Sequence, residues 1–126
     1  MYIRCLSYIK CTIGKMKEKF PPLPECGVAR FLVLCETPWA TLIIRELMNG
    51  PLRFSVLRDR LPGISAHTLT NRLRRFEAYE IVTRNSYAEV PPRVEYGLTK
   101  VGLGLVPVLH AMAEWALSVP DHPRTL

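Results

Sequence analysis

The chain has 126 residues, 48% of them apolar, enough for one packed domain without disulfide or metal staples. Its net charge of +6 is unevenly placed: residues 53–93 hold eight arginines against four acids, whereas from Val94 onward acids outnumber bases by one. A basic stretch of this kind suits a surface that meets phosphates, while no phosphate loop, paired carboxylates or nucleophile–base arrangement stands out, so neither an enzyme nor a cofactor is expected. Four cysteines, at 5, 11, 26 and 35, lack a C-x-x-C or nearby clustered His and indicate neither a zinc site nor a disulfide scaffold. Reduced thiols in a cytoplasm are the expectation. Arg4 and Lys10 interrupt the opening apolar segment, so no export or membrane signal is read.

In chain order, residues 1–25 read as an arm and a stiff linker ending in Pro21, Pro22 and Pro24. Met16 offers an alternative start that would leave residues 1–15 untranslated. Residues 26–119 form the expected domain and 120–126 a tail. The run VARFLVLCE predicts a short buried helix, and Thr37 then caps a second helix with Pro38 at its first position, running to about Met48. Asn49, Gly50 and Pro51 supply the stop. Phe54, Leu57 and Leu61 predict a third short helix ended by Pro62 and Gly63. Ser65 caps a fourth that carries Leu69, Leu73 and Phe76 on one face as far as Tyr79. Two helices across a tight glycine turn make a helix-turn-helix. Residues 81–87 and 93–98 read as two strands about a Pro91-Pro92 tip, a wing. Thr99 caps a last helix whose Val101, Leu105, Val108, Leu109, Met112 and Trp115 form a broad apolar stripe, with a kink expected at Pro107 and a stop at Pro120. The fold class is therefore α+β, mainly helical, a winged helix-turn-helix.

With Leu69 and Leu73 inward, His67, Asn71 and Arg74 point outward and Thr68, Thr70 and Arg75 lie on the shoulders. Asn pairs with adenine and Arg with guanine in the major groove of double-stranded DNA, and Ser and Thr donate to phosphates. A solvated helix face is the bland alternative; the turn before this helix and the hairpin after it favour DNA. Arg72 falls beside the buried stripe, where a structural ion pair and a phosphate contact stand equal. Arg84 and Arg93 flank the wing, with Arg93 preferred because of the stiff tip. Arg53 and Ser55 lie where the third helix starts and suit phosphate, Ser55 equally as a plain cap. Ser65 is both cap and candidate contact. Trp39 and Trp115 are expected in the core, an interface or the frame of a small-molecule pocket being the alternatives. The last helix and residues 27–36 carry more apolar surface than one small domain covers, which predicts a homodimer.

Taken together, Trp39 followed by LIIREL, then GPLRFSVLRDRLPGIS, LTNRLRRFE, VPPRVEYGLT and GLGLVPVLHAMAEWA resemble the HxlR-type winged-helix regulators, a branch of the MarR-like group, over about residues 26–117. The resemblance implies a homodimer joined through N- and C-terminal helices that represses or activates at an inverted repeat. It also implies that Cys26, opening the first helix, senses oxidants or electrophiles as it does in some members; a plain small residue at a helix start is the equal alternative. Its effector is unknown. Two departures stand out: Glu36-Thr37-Pro38 replaces the usual Gly-Gly-Lys before the tryptophan, and Glu80 replaces a glycine after the fourth helix, where a left-handed conformation is expected. These predict a changed approach to the second helix and a rearranged helix end. The competing functional reading is a winged helix used as a protein-interaction module.

Overall fold

A computed structural model describes Phe20 and residues 22–124; the expectations for Cys5, Cys11, most of the arm and the alternative start at Met16 lie outside the described residues. The elements follow as α1 (Gly27–Leu34), α2 (Pro38–Leu47), β1 (Leu52–Arg53), α3 (Phe54–Asp59), α4 (Ala66–Ala78), β2 (Val82–Tyr87), β3 (Arg93–Leu98), α5 (Lys100–Leu103) and α6 (Leu105–Leu117). The core is one cluster built from α2, α3, α4 and the start of β2: Ile43, Ile44, Leu47, Leu57, Leu61, Leu69, Leu73 and Phe76 are almost wholly buried, with Ile64, Ile81 and Val82 beside them. Among the described residues no single helix is long and apolar enough to cross a membrane.

The sheet has three antiparallel strands in the order β1-β3-β2, where the sequence predicted only the two strands of the wing. β1 was not legible because two residues, Leu52 and Arg53, set opposite Tyr96 and Glu95, carry no periodic signal. The wing itself pairs from Val82 with Leu98 to Tyr87 with Arg93, and the Val90–Pro91 peptide at its tip is cis.

Three expectations need correction. First, α1 is only partly buried: Ala29 is enclosed, but Val28 and Leu32 face outward, because the helix lays one face, with Phe31 and Leu34, on the core. Second, the last helix is broken at Gly104 rather than kinked at Pro107. The break places Pro107 in the first turn of α6, where its missing N–H leaves no intrahelical bond unmade. Third, Thr37 stands at the N-cap of α2 in extended backbone, yet its side chain makes no capping bond and its hydroxyl is buried without a partner.

The α4 terminus is not rearranged by Glu80. Glu80 adopts the left-handed conformation itself, with φ 57°, and the Ile81 N–H donates to the Phe76 carbonyl at 2.8 Å while the Glu80 N–H donates to that of Glu77 at 3.0 Å. That pair of bonds is the Schellman motif. Beyond it, the Thr99 hydroxyl donates to the Glu80 carbonyl at 2.6 Å and accepts from the Gly102 N–H at 3.1 Å, and the Thr99 N–H donates to the Ile81 carbonyl at 3.0 Å. A side chain at Gly102 would collide with the Ile81 carbonyl oxygen, so α5 sits directly on the end of α4.

A left-handed L-residue costs roughly 1–2 kcal/mol, part of which glycine returns through its greater freedom when unfolded. Glu80→Gly is therefore expected to stabilise the domain by about 0.5–1 kcal/mol, raising the melting temperature by about 2–6 °C. Thermal unfolding followed by circular dichroism checks this, and an unchanged or lower midpoint would show that no strain is held at Glu80.

Candidate nucleic-acid interface

The helix-turn-helix is formed by α3 and α4. Gly63, with φ 92°, turns the chain between them, and Ser65 caps α4 by accepting from the Thr68 N–H at 3.0 Å. The Ser65 hydroxyl also meets the Thr68 hydroxyl at 2.9 Å, so these two candidate contacts are first of all a cap that fixes where α4 starts. Leu69, Leu73 and Phe76 are buried on the inner face, which leaves His67, Asn71 and Arg74 exposed on the outer one, as the helical spacing predicts. Thr70 is half-buried between the two faces.

Asn71 Nδ2 lies 3.1 Å from His67 Nε2, one turn apart. An amide N–H donates to an unprotonated ring nitrogen, leaving the Asn71 carbonyl and its second N–H available to another partner. Arg74 projects from the same side at i+3 from Asn71, where neighbouring side chains on a helix share a surface.

The remaining arginines divide between structural and open positions. Arg72 Nη1 bonds to Glu36 Oε1 at 2.7 Å, settling its two readings in favour of an ion pair. Its partner comes from the Glu36-Thr37-Pro38 departure itself. Arg75 does not join the outer face: its Nη2 donates to the Val33 carbonyl at 2.8 Å, and its guanidinium lies 5.8 Å from the centre of the Tyr79 ring. The shoulder position predicted for Arg75 lies close to α1, whose last turn offers an unsatisfied carbonyl.

On the wing the two candidate arginines have different surroundings. Arg93 stacks 4.3 Å from the Tyr87 ring centre and faces Glu89 at 3.4 Å and Glu95 at 3.6 Å, so local carboxylates compensate its charge. Arg84 is exposed, its only hydrogen bond among the described residues a long one of 3.4 Å to Ser86 Oγ. The register pairs Arg84 with Tyr96 and Arg93 with Tyr87, which puts the two arginines on opposite faces of the hairpin. Arg53 and Ser55 are exposed at the start of α3, but Arg53 lies opposite Glu95 and a six-residue helix has little dipole to offer an anion. Sequence reasoning passed over Arg58 and Arg60, both exposed at the end of α3, and Phe20, whose ring meets Tyr79 edge-on at 6.4 Å. The charge count contained the two arginines, whereas a lone aromatic in a non-periodic arm gave no signal.

The cysteines also differ from the uniformly reduced state expected. Cys26 precedes α1 at its N-cap and is disulfide-bonded. Cys35 is the free cysteine among the described residues and is buried; burial pushes its pKa up to about 11, which suppresses the reactive thiolate at neutral pH. Among the described residues no His, Cys, Asp or Glu group is arranged to hold a metal.

A helix-turn-helix whose second helix has a buried apolar face and an open polar one, followed by the two-stranded wing and with β1 on the wing's other edge, defines a winged helix-turn-helix domain. A model of the HxlR-like helix-turn-helix family matches residues 34–122, and the chain belongs to that family. It is 46% identical over 87 residues to the HTH-type transcriptional regulator sll1512 of Synechocystis, a match covering 69% of this chain and 64% of that relative's length. Among solved structures it resembles the redox regulator HypR in its oxidized form, with TM-score 0.70 and 37% identity over 77% of this chain and all of that one. It also resembles the reduced form of the transcriptional regulator YodB of Bacillus subtilis, with TM-score 0.69 and 34% identity over 80% of this chain and all of that one.

Proposed function

We propose that this regulator acts in the cytoplasm as a homodimer that binds an inverted repeat in double-stranded DNA, with α4 in the major groove and the wing against the backbone. The observation that carries this reading is the outer face of α4: His67, Asn71 and Arg74 are exposed on a helix whose opposite face is locked into the core. Asn71 and Arg74 are the base readers. His67 orients Asn71, and Ser65, Thr68 and Thr70 lie near the phosphates of the same groove. Arg84 is the wing contact supported by exposure, and Arg53, Ser55, Arg58 and Arg60 line the approach of the first helix to the backbone. Arg75 and Arg93 act through the elements they brace.

Dimerisation is supported by apolar surface that the single chain leaves uncovered. On α6 no residue is fully buried, Trp115 is 71% exposed, and Val108 and Met112 are also open. Beside them an apolar cleft of about 380 Å³ runs between α2 and α6, lined by Leu42, Met48, Leu109, Met112, Ala113 and Ala116. Val28 and Leu32 of α1 add to the uncovered area. An inverted repeat requires two recognition helices about one DNA turn, roughly 34–36 Å, apart, which a symmetric pair of chains supplies.

Cys26 is the candidate sensor. Its engagement in a disulfide and the nature of the similar structures, a redox regulator in oxidized form and a quinone-bound YodB, support a thiol-based signal. Two thiols would give two electrons and two protons to a peroxide, yielding water and alcohol or a second water, or to a quinone, yielding hydroquinone.

Asn71→Ala and Arg74→Ala are each expected to cost about 1–3 kcal/mol against a selected duplex and to relax base preference. Competition between selected and scrambled duplexes at fixed salt checks this. Unchanged affinity and preference in both variants would contradict the face assignment, and duplex binding absent from the intact chain would favour a protein-interaction module. Trp115→Glu is expected to convert dimer to monomer in light scattering at micromolar concentration; an intact chain that is already monomeric, also on DNA, rules the dimer out. Mild peroxide or a quinone, applied to the reduced protein, is expected to change duplex affinity in the intact chain and not in Cys26→Ser, whereas equal responses remove Cys26 from the signal.

A further inference from the structure

We propose that His67 decides which base Asn71 reads: as an acceptor it holds the Asn71 amide in the orientation that pairs with adenine, and as a donor it turns that amide round. The inference rests on the DNA-binding reading of α4 and deepens it, making His67 a positioning residue that acts through Asn71.

Its basis is a bond whose direction is set by one proton. Asn71 Nδ2 lies 3.1 Å from His67 Nε2. While Nε2 is unprotonated only the amide N–H can donate, and the ring proton then sits on Nδ1. The Asn71 carbonyl and its second N–H stay open on the outer face, and that acceptor–donor pair is what the N6 amino group and N7 of adenine require. A protonated imidazole carries N–H at both nitrogens. Nε2 then repels the amide N–H and donates instead to the Asn71 carbonyl, which a half-turn of the amide about its terminal torsion supplies. That turn exchanges the places of carbonyl and amide nitrogen and occupies part of the carbonyl's accepting capacity, so the adenine pattern is no longer presented.

The backbone beneath the pair is fixed, so a changed proton is expressed in the amide rather than in the helix. Ser65 caps the first turn of α4 through the Thr68 N–H at 3.0 Å, and Leu69 and Leu73, interleaved with His67 and Asn71 along the helix, are buried. His67 and Asn71 are both exposed, one helical turn apart, where side chains meet. The charged groups of the same surface are Arg74 on α4 and Arg58, Asp59 and Arg60 at the end of α3. Among the described residues the ion pairs join Arg45 to Glu46, Arg72 to Glu36, and Arg93 to Glu89 and Glu95, so none commits the His67 ring to a carboxylate. Histidine exchanges its proton between about pH 5 and 8, which makes the base read by Asn71 depend on pH.

The test is base preference against pH, measured by fluorescence anisotropy with the full chain and a duplex selected on it at about pH 8. The position read by Asn71 is the base pair at which Asn71→Ala loses preference, and duplexes carrying each of the bases there are compared at about pH 8 and about pH 5.5. The intact chain is expected to prefer adenine by about tenfold at the higher pH and to approach Asn71→Ala at the lower. His67→Phe, which neither accepts nor donates, is expected to show a weak preference equal at both pH values. His67→Lys, a permanent donor, is expected to show the low-pH pattern at both. An adenine preference of the intact chain that does not change with pH overturns the proposal, as does a pH response retained by His67→Phe. A low-pH gain in affinity shared equally by all the duplexes overturns it too, since it reports added charge without a changed readout. If Asn71→Ala alters preference at no position, the base-reading role of α4 falls and this proposal with it. Circular dichroism melting of each variant at both pH values separates a changed readout from a damaged fold.

Discussion

The position of the recognition helix depends on a single threonine. Thr99 links three chain segments with one residue: its hydroxyl caps α5 through the Gly102 N–H and donates to the Glu80 carbonyl, while its own N–H reaches the Ile81 carbonyl. The end of α4 and the start of the C-terminal helices are therefore one hydrogen-bonded joint. Gly102 allows the joint to close, since a larger residue would meet the Ile81 carbonyl before the bonds formed. Glu80 supplies the left-handed turn that presents both carbonyls to Thr99. These local features require one another, so the strain at Glu80 is carried by the hydrogen bonds around it.

A second clamp acts from the opposite side. Arg72 and Arg75 project from α4 toward the junction of α1 and α2 and end on Glu36 and the Val33 carbonyl. The Arg72–Glu36 pair is partly screened and by itself contributes little, as surface ion pairs do. Arg75 is different, because a charged donor on a helix-terminal carbonyl in a half-buried site satisfies a group that would otherwise lack a partner. Within the run Asn71–Arg75, the outward Asn71 and Arg74 are open, whereas Arg72, Leu73 and Arg75 are structural. One basic helix thus interleaves outward-facing side chains with those that attach it to the rest of the domain.

Much of this was legible in the sequence where a local signal repeats or a special residue is obligatory. The 3.6-residue pattern of Leu69, Leu73 and Phe76, the caps at Ser65 and Thr99, and the turn at Gly63 each state their structure within a few residues. What was not legible depends on partners distant in sequence or on choices among nearby ones. Arg93 preferred Glu89, Glu95 and Tyr87 to open solvent, and Arg75 found a carbonyl 42 residues away. β1 is a strand only because β3 lies beside it. Glu80 departs from expectation for the reverse reason: intrinsic preference argued against φ 57°, and the tertiary joint at Thr99 overrode it.

The two clamps also define what any signal must move. Each joins α4 to a segment that continues into an apolar helix the single chain does not cover, α1 on one side and α5–α6 on the other. Whatever packs on those helices is consequently linked to the recognition helix through short hydrogen bonds at its C-terminal half, with no flexible linker between. Cys26, at the start of α1, lies one short helix away from the Val33 carbonyl that holds Arg75. A change in the direction of α1 therefore reaches α4 through Arg75, while Thr99 resists it from the opposite flank. Because cores and interfaces repack between discrete arrangements rather than bending smoothly, the response expected of such a frame is a switch in the relative angle of α1 and α4, with the wing and the outward side chains of α4 carried as rigid parts.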